Sequence, residues 1–247
     1  MESRKEILNI KNLSYSFDLG KKEKYQIIND ISFNLKRGEF LSITGPSGCG
    51  KSTLLRIIAG LIKSKKGEII NNATKSAFVF QNYAIFPWFN VYENIEFGLK
   101  MNEVKKSERK RIVKEKIIEM NLIGHENSYP KELSGGMKQR IGIGRALAIK
   151  PDLLFMDEPF SNLDYFTAEK LRKEIIDLCI KYKITVIMVT HAIDEAIEMS
   201  NRIIVMSKGP NAKINSIHEI EAKFPRNRKS EYFNRKIDEI RKEIILY

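Results

Sequence analysis

The stretch Gly45-Pro46-Ser47-Gly48-Cys49-Gly50-Lys51-Ser52-Thr53 constrains this chain more than any other. It fits G-x-x-x-x-G-K-[ST], a phosphate-binding loop, and it lies between an apolar run, Phe40 to Thr44, that reads as a strand and a run, Leu54 to Ala59, that reads as a helix. Glycines let the backbone wrap a phosphate with its N–H groups turned inward, and the following helix adds the positive end of its dipole. Lys51 is placed to reach β- and γ-phosphates, and the Ser52 hydroxyl is a hard oxygen suited to Mg²⁺. Thr53 reads as support for the helix start. A glycine turn with a surface lysine is the bland alternative, and it explains neither flanking element.

The 247 residues, 43% of them hydrophobic, are enough to bury a full core. Lys and Arg number 43 against 31 Asp and Glu, so the formal net charge of +12 suits nucleic acid, nucleotides or an anionic membrane face without choosing among them. Cys49 and Cys179 lie far apart in the sequence, which argues against a disulfide framework and fits a reducing compartment. Met1 to Glu6 is charged and leads into an alternating segment, so no secretory signal is expected; no apolar run approaches the roughly 20 residues that span a bilayer.

Along the chain, Ile7 to Phe17 and Gln26 to Leu35 read as antiparallel strands forming a flap. Phe17 is a candidate for stacking on an adenine ring, with core packing as the alternative. Gly67 to Ile70 and Ala77 to Phe80 follow as short strands, the second delivering Gln81, whose carbonyl oxygen can face a metal ion. The segment Asn82 to Leu99 carries Tyr83, Phe86, Trp88, Phe89, Tyr92 and Phe97; most of that material is expected inside, and any exposed part forms a patch for a partner. A helix is expected over Ser107 to Met120 with Ser107 as its cap and a solvated charged face. Leu133-Ser134-Gly135-Gly136 opens a further helix, Met137 to Ile149, whose start suits either an anion or a structural cap.

Asp152 to Met156 has the apolar continuity of a buried parallel strand and delivers Asp157 and Glu158 at its carboxyl end, the edge where open α/β sheets bind ligands. Asp157 can hold Mg²⁺ through water, and Glu158 can polarise a water toward a γ-phosphate. Ser161 to Asp164 reads as loop and cap before a helix over Thr167 to Lys181, in which Cys179 is a buried apolar residue. The strand Ile184 to Val189 ends at Thr190-His191, where a histidine can reach a terminal phosphate, whereas His125 and His218 read as core or surface residues. A helix over Ile193 to Met199, strands near Arg202 to Met206 and Ala212 to Ile217, a break at Phe224 to Ser230 and a last helix with Phe233, Ile237, Ile240 and Ile244 on one face complete the pattern. That basic tail could dock on the domain, a partner or a membrane surface, with the domain as the default. Cys49, at a helix start near Lys51, is either a reactive thiolate or a small inert filler.

Gly45 to Thr53, Gln81, Leu133 to Arg140, Leu153 to Glu158, Ser161 to Asp164 and His191 occur in the order found in ATP-binding-cassette (ABC) ATPases, which this chain resembles over nearly its whole length. The resemblance implies an α/β fold: a P-loop NTPase (RecA-like) core with an antiparallel β flap, a helical subdomain inserted at about residues 83–148, an ATPase domain over 1–222 and a tail and helix over 223–247. It implies that two copies sandwich two ATP molecules with Mg²⁺. Gly45, Pro46, Ser47, Gly48, Cys49, Gly50, Lys51, Ser52 and Thr53 would then hold the nucleotide of one copy, and Ser134, Gly135 and Gly136 of the other would meet its γ-phosphate. On the same basis Glu158 is the general base or water-orienting residue, His191 the γ-phosphate contact, and Gln81 a metal and coupling residue beside Ser52 and Asp157. Asp164 lies in the dimer contact, and Phe17 stacks on the adenine.

Phe86 to Val91, Asn94-Ile95, Phe97 to Leu99 and Phe224 to Arg228 are similar to the importer ATPases for nitrate, sulfonate and taurine. The partners this implies are a second copy of the chain, transmembrane permease subunits and, indirectly, an extracytoplasmic solute-binding protein, with no nucleic acid, at the cytoplasmic face of the cell membrane. Ala192, Asn162 and a short Ile70 to Ala77 connection depart from the family pattern. The competing reading is a soluble ABC-type ATPase acting on nucleic acid or ribosomes, which the charge of +12 supports. A single cassette and the Phe86-Pro87-Trp88 patch favour transport.

Overall fold

The structure is a computed structural model and describes residues 5–18, 24–64 and 66–245. In chain order the elements are β1 (Glu6–Asp18), β2 (Lys24–Lys36), β3 (Phe40–Thr44), α1 (Lys51–Ile58), β4 (Lys66–Asn71), β5 (Ser76–Val79), α2 (Val91–Met101) and α3 (Lys106–Glu119). They continue with α4 (Gly135–Ala148), β6 (Leu153–Asp157), α5 (Tyr165–Tyr182), β7 (Thr185–Val189), α6 (Ile193–Met199), β8 (Arg202–Met206), β9 (Ile214–Glu219) and α7 (Glu231–Ile245). The chain forms two compact units, Met1–Ala73 with Ile175–Tyr247, and Thr74–Glu174.

In the first unit β1 pairs antiparallel with β2 on one side and β4 on the other, giving the expected flap. The register of β1 shifts between Ile10 and Leu13, at Asn12, whose φ of 48° is left-handed. Its N–H donates to the Ser32 hydroxyl at 2.8 Å and its side chain to Asp30 at 2.9 Å, so the bulge is held by side chains in place of the ladder. Gly67 crosses β1 there with φ 93°, and a Cβ on it would lie 2.6 Å from the Leu13 Cα, so only glycine fits.

In the same unit β3 runs parallel between β7 and β8, with Ile43 opposite both Val189 and Ile204. Every residue of β3 and β7 is buried, the mark of parallel strands covered on both faces. β9 adds antiparallel to β8. It begins at Ile214, later than the expected Ala212, because the Ala212 backbone is spent on the flap: its N–H donates to Ile27 O at 3.0 Å and its carbonyl accepts from Asn29 at 2.9 Å. The last helix docks within this unit, burying Phe233 and Ile240 of α7 against Ala196 and Ile197 of α6 and Ile203 and Val205 of β8.

In the second unit β5 and β6 are parallel neighbours and α2, α3 and α4 pack on one another. Asn90 caps α2, accepting from Glu93 N while the Glu93 carboxylate accepts from Asn90 N. Buried Asn94 bonds the backbone of Phe86, Phe89 and Asn90, which fixes the aromatic loop before α2. Phe86 contacts Trp88, Phe89 and Phe97 there, while Trp88 remains 67% exposed.

The expected Ser107 cap is not made: α3 starts at Lys106 after Lys105, and no side chain caps it. Its apolar face, Ile112, Val113 and Ile117, is buried as expected, but Lys116 is buried with it and pairs with Glu119 at 2.7 Å. The helices read from Met137 and Thr167 start two residues earlier, at Gly135 and Tyr165, because Ser134 and Asp164 supply their caps.

Candidate functional site

The loop Gly45 to Thr53 leaves β3 at its carboxyl end and enters α1, with Gly50 at the helix cap in a left-handed conformation of φ 100°. Two of its glycines are sterically required. A Cβ on Gly45 would lie 2.7 Å from Met206 O, and one on Gly50 would lie 2.9 Å from the Ile27 side chain. Gly48, with φ 75°, faces open space, and Ser47 and Gly48 are exposed at the loop crest. The Lys51 ammonium is buried and folds back over the loop, donating to the carbonyls of Gly45 and Pro46 at 2.9 Å each. Leu54 N–H donates to Gly50 O at 2.8 Å, so α1 opens directly on the loop, and a helix start of this kind turns its first N–H groups toward whatever lies before it.

Cys49 is fully buried in this loop, with the backbone of Gly48 and Cys49 packed against Gly209. Burial pushes its thiol above the ordinary range in spite of the Lys51 charge nearby. Of the two expectations for Cys49, this burial favours the inert filler over the reactive thiolate.

His191 leaves the same edge of the unit. Thr190 N–H donates to Ile43 O at 3.2 Å, one residue before β3 runs into the phosphate loop, and His191 follows exposed to solvent. The Thr190 hydroxyl accepts from Ala192 N–H at 3.1 Å and donates to Glu195 at 2.8 Å, so the turn bearing the imidazole is tied to the start of α6. Phe17, near the end of β1, is 38% exposed and edge-on to Tyr15 at 5.2 Å.

The second unit gathers the other candidates. Asp157 ends β6 fully buried, and Glu158, with a left-handed φ of 44°, turns out of the strand half-buried. Gln81 reaches it after β5, its amide nitrogen donating to Glu158 at 3.1 Å and lying 3.4 Å from the Ser161 hydroxyl. The Asn162 side chain donates to Gln81 O at 3.0 Å. That partnership had no sequence signal beyond the departure at Asn162, because the two positions lie 81 residues apart.

Ser134 is exposed and caps α4, accepting from Met137 N–H at 3.3 Å. A Cβ on Gly135 would meet the Tyr83 hydroxyl at 3.1 Å and one on Gly136 would meet Thr167 at 2.9 Å, so this glycine pair answers to close packing as well as to a helix start. Asp164 caps α5 through Thr167 N–H at 3.0 Å, and its bonds to Thr167 hold its carboxyl below the ordinary range.

These residues fit a magnesium nucleotide. The loop of the first unit combines a lysine held inward, glycines where a Cβ has no room and a helix start, and its Ser52 hydroxyl is a hard oxygen of the kind Mg²⁺ takes; in the second unit the Gln81 and Asp157 side chains carry oxygens of the same kind. Among the described residues, no helix is long and apolar enough to cross a membrane.

A phosphate loop after a central parallel strand, an antiparallel flap and a separate packing of helices define a P-loop nucleotide-hydrolysing cassette. The family model for the ABC transporter matches residues 28–161. The aliphatic sulfonates import ATP-binding protein SsuB of Bacillus cereus is 44% identical over 227 residues, 89% of this chain and 87% of that protein. The nitrate import ATP-binding protein NrtC of Synechococcus elongatus is 40% identical over 230 residues, 90% of this chain and 35% of its own length. Among solved structures, the dimeric post-hydrolysis state of the ATP-binding cassette MJ0796 bound to ADP and Pi aligns with a TM-score of 0.77 at 32% identity, covering 87% of this chain and 100% of that one. The chain belongs to the ABC transporter family and is an ATP-binding, ATP-hydrolysing subunit.

Proposed function

We propose that this chain powers import of a small anionic or polar solute, of the sulfonate, nitrate or taurine kind, through separate permease subunits at the cytoplasmic face of the membrane. The observation that carries the import reading is its likeness, across most of both chains, to a sulfonate import ATP-binding protein. The aromatic loop held by Asn94, with Trp88 largely exposed, is the surface offered to the permease.

Two copies close on two ATP molecules. Lys51 and the loop N–H groups bind the β- and γ-phosphates, Phe17 lies against the adenine, and Ser134, Gly135 and Gly136 of the second copy complete the γ-phosphate site, with Asp164 in the contact between copies. Glu158 accepts the proton of a water whose oxygen attacks the γ-phosphorus as the bond to the bridging β-oxygen breaks. Gln81 holds the Glu158 carboxylate in place, and His191 donates to a γ-phosphate oxygen. Ser52, Gln81 and Asp157 would hold Mg²⁺, Asp157 through water; when bound, the ion neutralises charge on the phosphoryl oxygens.

The test is purification of the tagged chain from detergent-solubilised membranes of its own host. Permease subunits should accompany it, and their reconstitution with a binding protein should make ATP hydrolysis depend on an alkanesulfonate or nitrate. Recovery of RNA alone, lost at high salt, would instead support the nucleic-acid reading that the net charge of +12 allows.

A further inference from the structure

α6 is only seven residues long, too short to hold its own geometry, so its position is set from outside. Packing does part of this, since Ala196, Ile197 and Met199 are fully buried. The rest comes from two arginines of the tail segment before α7. Arg226, 9% exposed and lying over the Phe224 ring at 4.1 Å, donates to the carbonyls of Ile197 at 2.6 Å and Glu198 at 3.2 Å, which belong to the last turn of the helix. It also donates to Ala222 O at 2.8 Å, tying the tail to itself. A buried cation on the carbonyl end of a helix meets both its orphan acceptors and its dipole. Arg228 spans both turns: its guanidinium pairs with Asp194 in the first and approaches the Glu198 carboxylate, 5% exposed, in the last at 3.6 Å.

The first turn of α6 is also the anchor of the His191 turn, through the Glu195 to Thr190 bond and the Thr190 to Ala192 bond that brackets the histidine. The tail, α6 and His191 thus form one connected path. We propose that Arg226 and Arg228 are positioning residues for His191, so that the C-terminal tail sets the efficiency of ATP hydrolysis while leaving nucleotide binding nearly unchanged. The inference rests on the reading of His191 as the γ-phosphate contact. It makes the tail part of the hydrolytic machinery in addition to a packing element.

The experiment is a double-mutant cycle on the purified full chain, with ATP turnover at saturating nucleotide and affinity for a fluorescent ATP analogue read separately. Arg228→Ala should lower kcat about 10-fold, in line with the cost of a small misplacement, with affinity changed less than about 2-fold. Arg228→Lys should recover most of the loss. Asp194→Asn, which leaves the tail sequence intact, should reproduce it and serves if the arginine variant does not fold. In a His191→Ala background, Arg228→Ala should add less than about 2-fold, because the group it positions is gone. Full multiplication of the two effects, or wild-type kcat in both Arg228→Ala and Asp194→Asn, would overturn the inference. Wild-type turnover in His191→Ala alone would identify a failure of the His191 reading itself, and would leave these arginines nothing to position.

Discussion

The side-chain amide of Gln81 donates to a carboxylate oxygen of Glu158 at 3.1 Å, joining the end of β5 to the end of β6. An amide that gives its nitrogen to the carboxylate directs its carbonyl oxygen elsewhere, so one residue can hold the base and still offer a metal ligand. The Asn162 side chain donates to the Gln81 backbone carbonyl at 3.0 Å, which links three residues, Asn162, Gln81 and Glu158, in a row.

For Glu158→Gln, turnover should fall by about 100-fold or more, the usual contribution of a positioned base, while ATP affinity stays within about 2-fold. A dimer should accumulate with ATP, seen by size-exclusion chromatography. Undiminished hydrolysis would remove Glu158 from its role. Gln81→Ala should show a smaller loss, about 10-fold, since it removes the support and leaves the base.

Lys51→Ala acts on the other step. The ammonium now shared by the Gly45 and Pro46 carbonyls is the loop's only side-chain cation, and its loss should weaken ATP binding by about 1.5–3 kcal/mol, or roughly 10- to 100-fold. Titration with a fluorescent nucleotide checks this; an unchanged dissociation constant would contradict the loop assignment.

Both thiols should resist alkylation at pH 8 in the folded protein and react together once urea unfolds it. Burial pushes Cys179 from an ordinary 9.0 to about 12 and raises Cys49 as well. The folded state therefore keeps protons that the unfolded chain gives up above pH 9, so this contribution to stability is complete below about pH 9 and declines as pH rises toward about 12. Rapid labelling of either cysteine in native buffer, or midpoints of urea unfolding that climb across that alkaline range, would count against the assignment.

Ile240 is fully buried between α7 and the α6 and β8 layer. Ile240→Ala should cost about 2–5 kcal/mol, read from the urea midpoint, and should expose the tail to limited proteolysis. Wild-type stability in this variant would mean that α7 leaves the surface in solution.

The nucleotide loop was legible because its requirements are local. The spacing of glycines, Lys51 and Ser52 between an apolar run and a helical one dictates a strand, turn and helix wherever the segment is placed, and β3, α6 and β8 lie where their patterns put them. Less legible were the ends of elements. The helix after the loop starts at Lys51, earlier than the apolar run from Leu54, since a polar first turn carries no periodic signal; β9 starts late because the Ala212 backbone is committed to the flap.

By itself, then, the sequence determined the phosphate loop, the alternation of strands and helices, and the presence of Asp157, Glu158 and His191 at strand ends. Only the tertiary structure decided which distant groups become partners: Asn162 with Gln81, Asp194 with Arg228, and the last carbonyls of α6 with Arg226. The reason is physical. Contiguous spacing fixes backbone conformation, but a polar side chain finds its partner only when burial removes water as the alternative, and burial is a property of the packed chain.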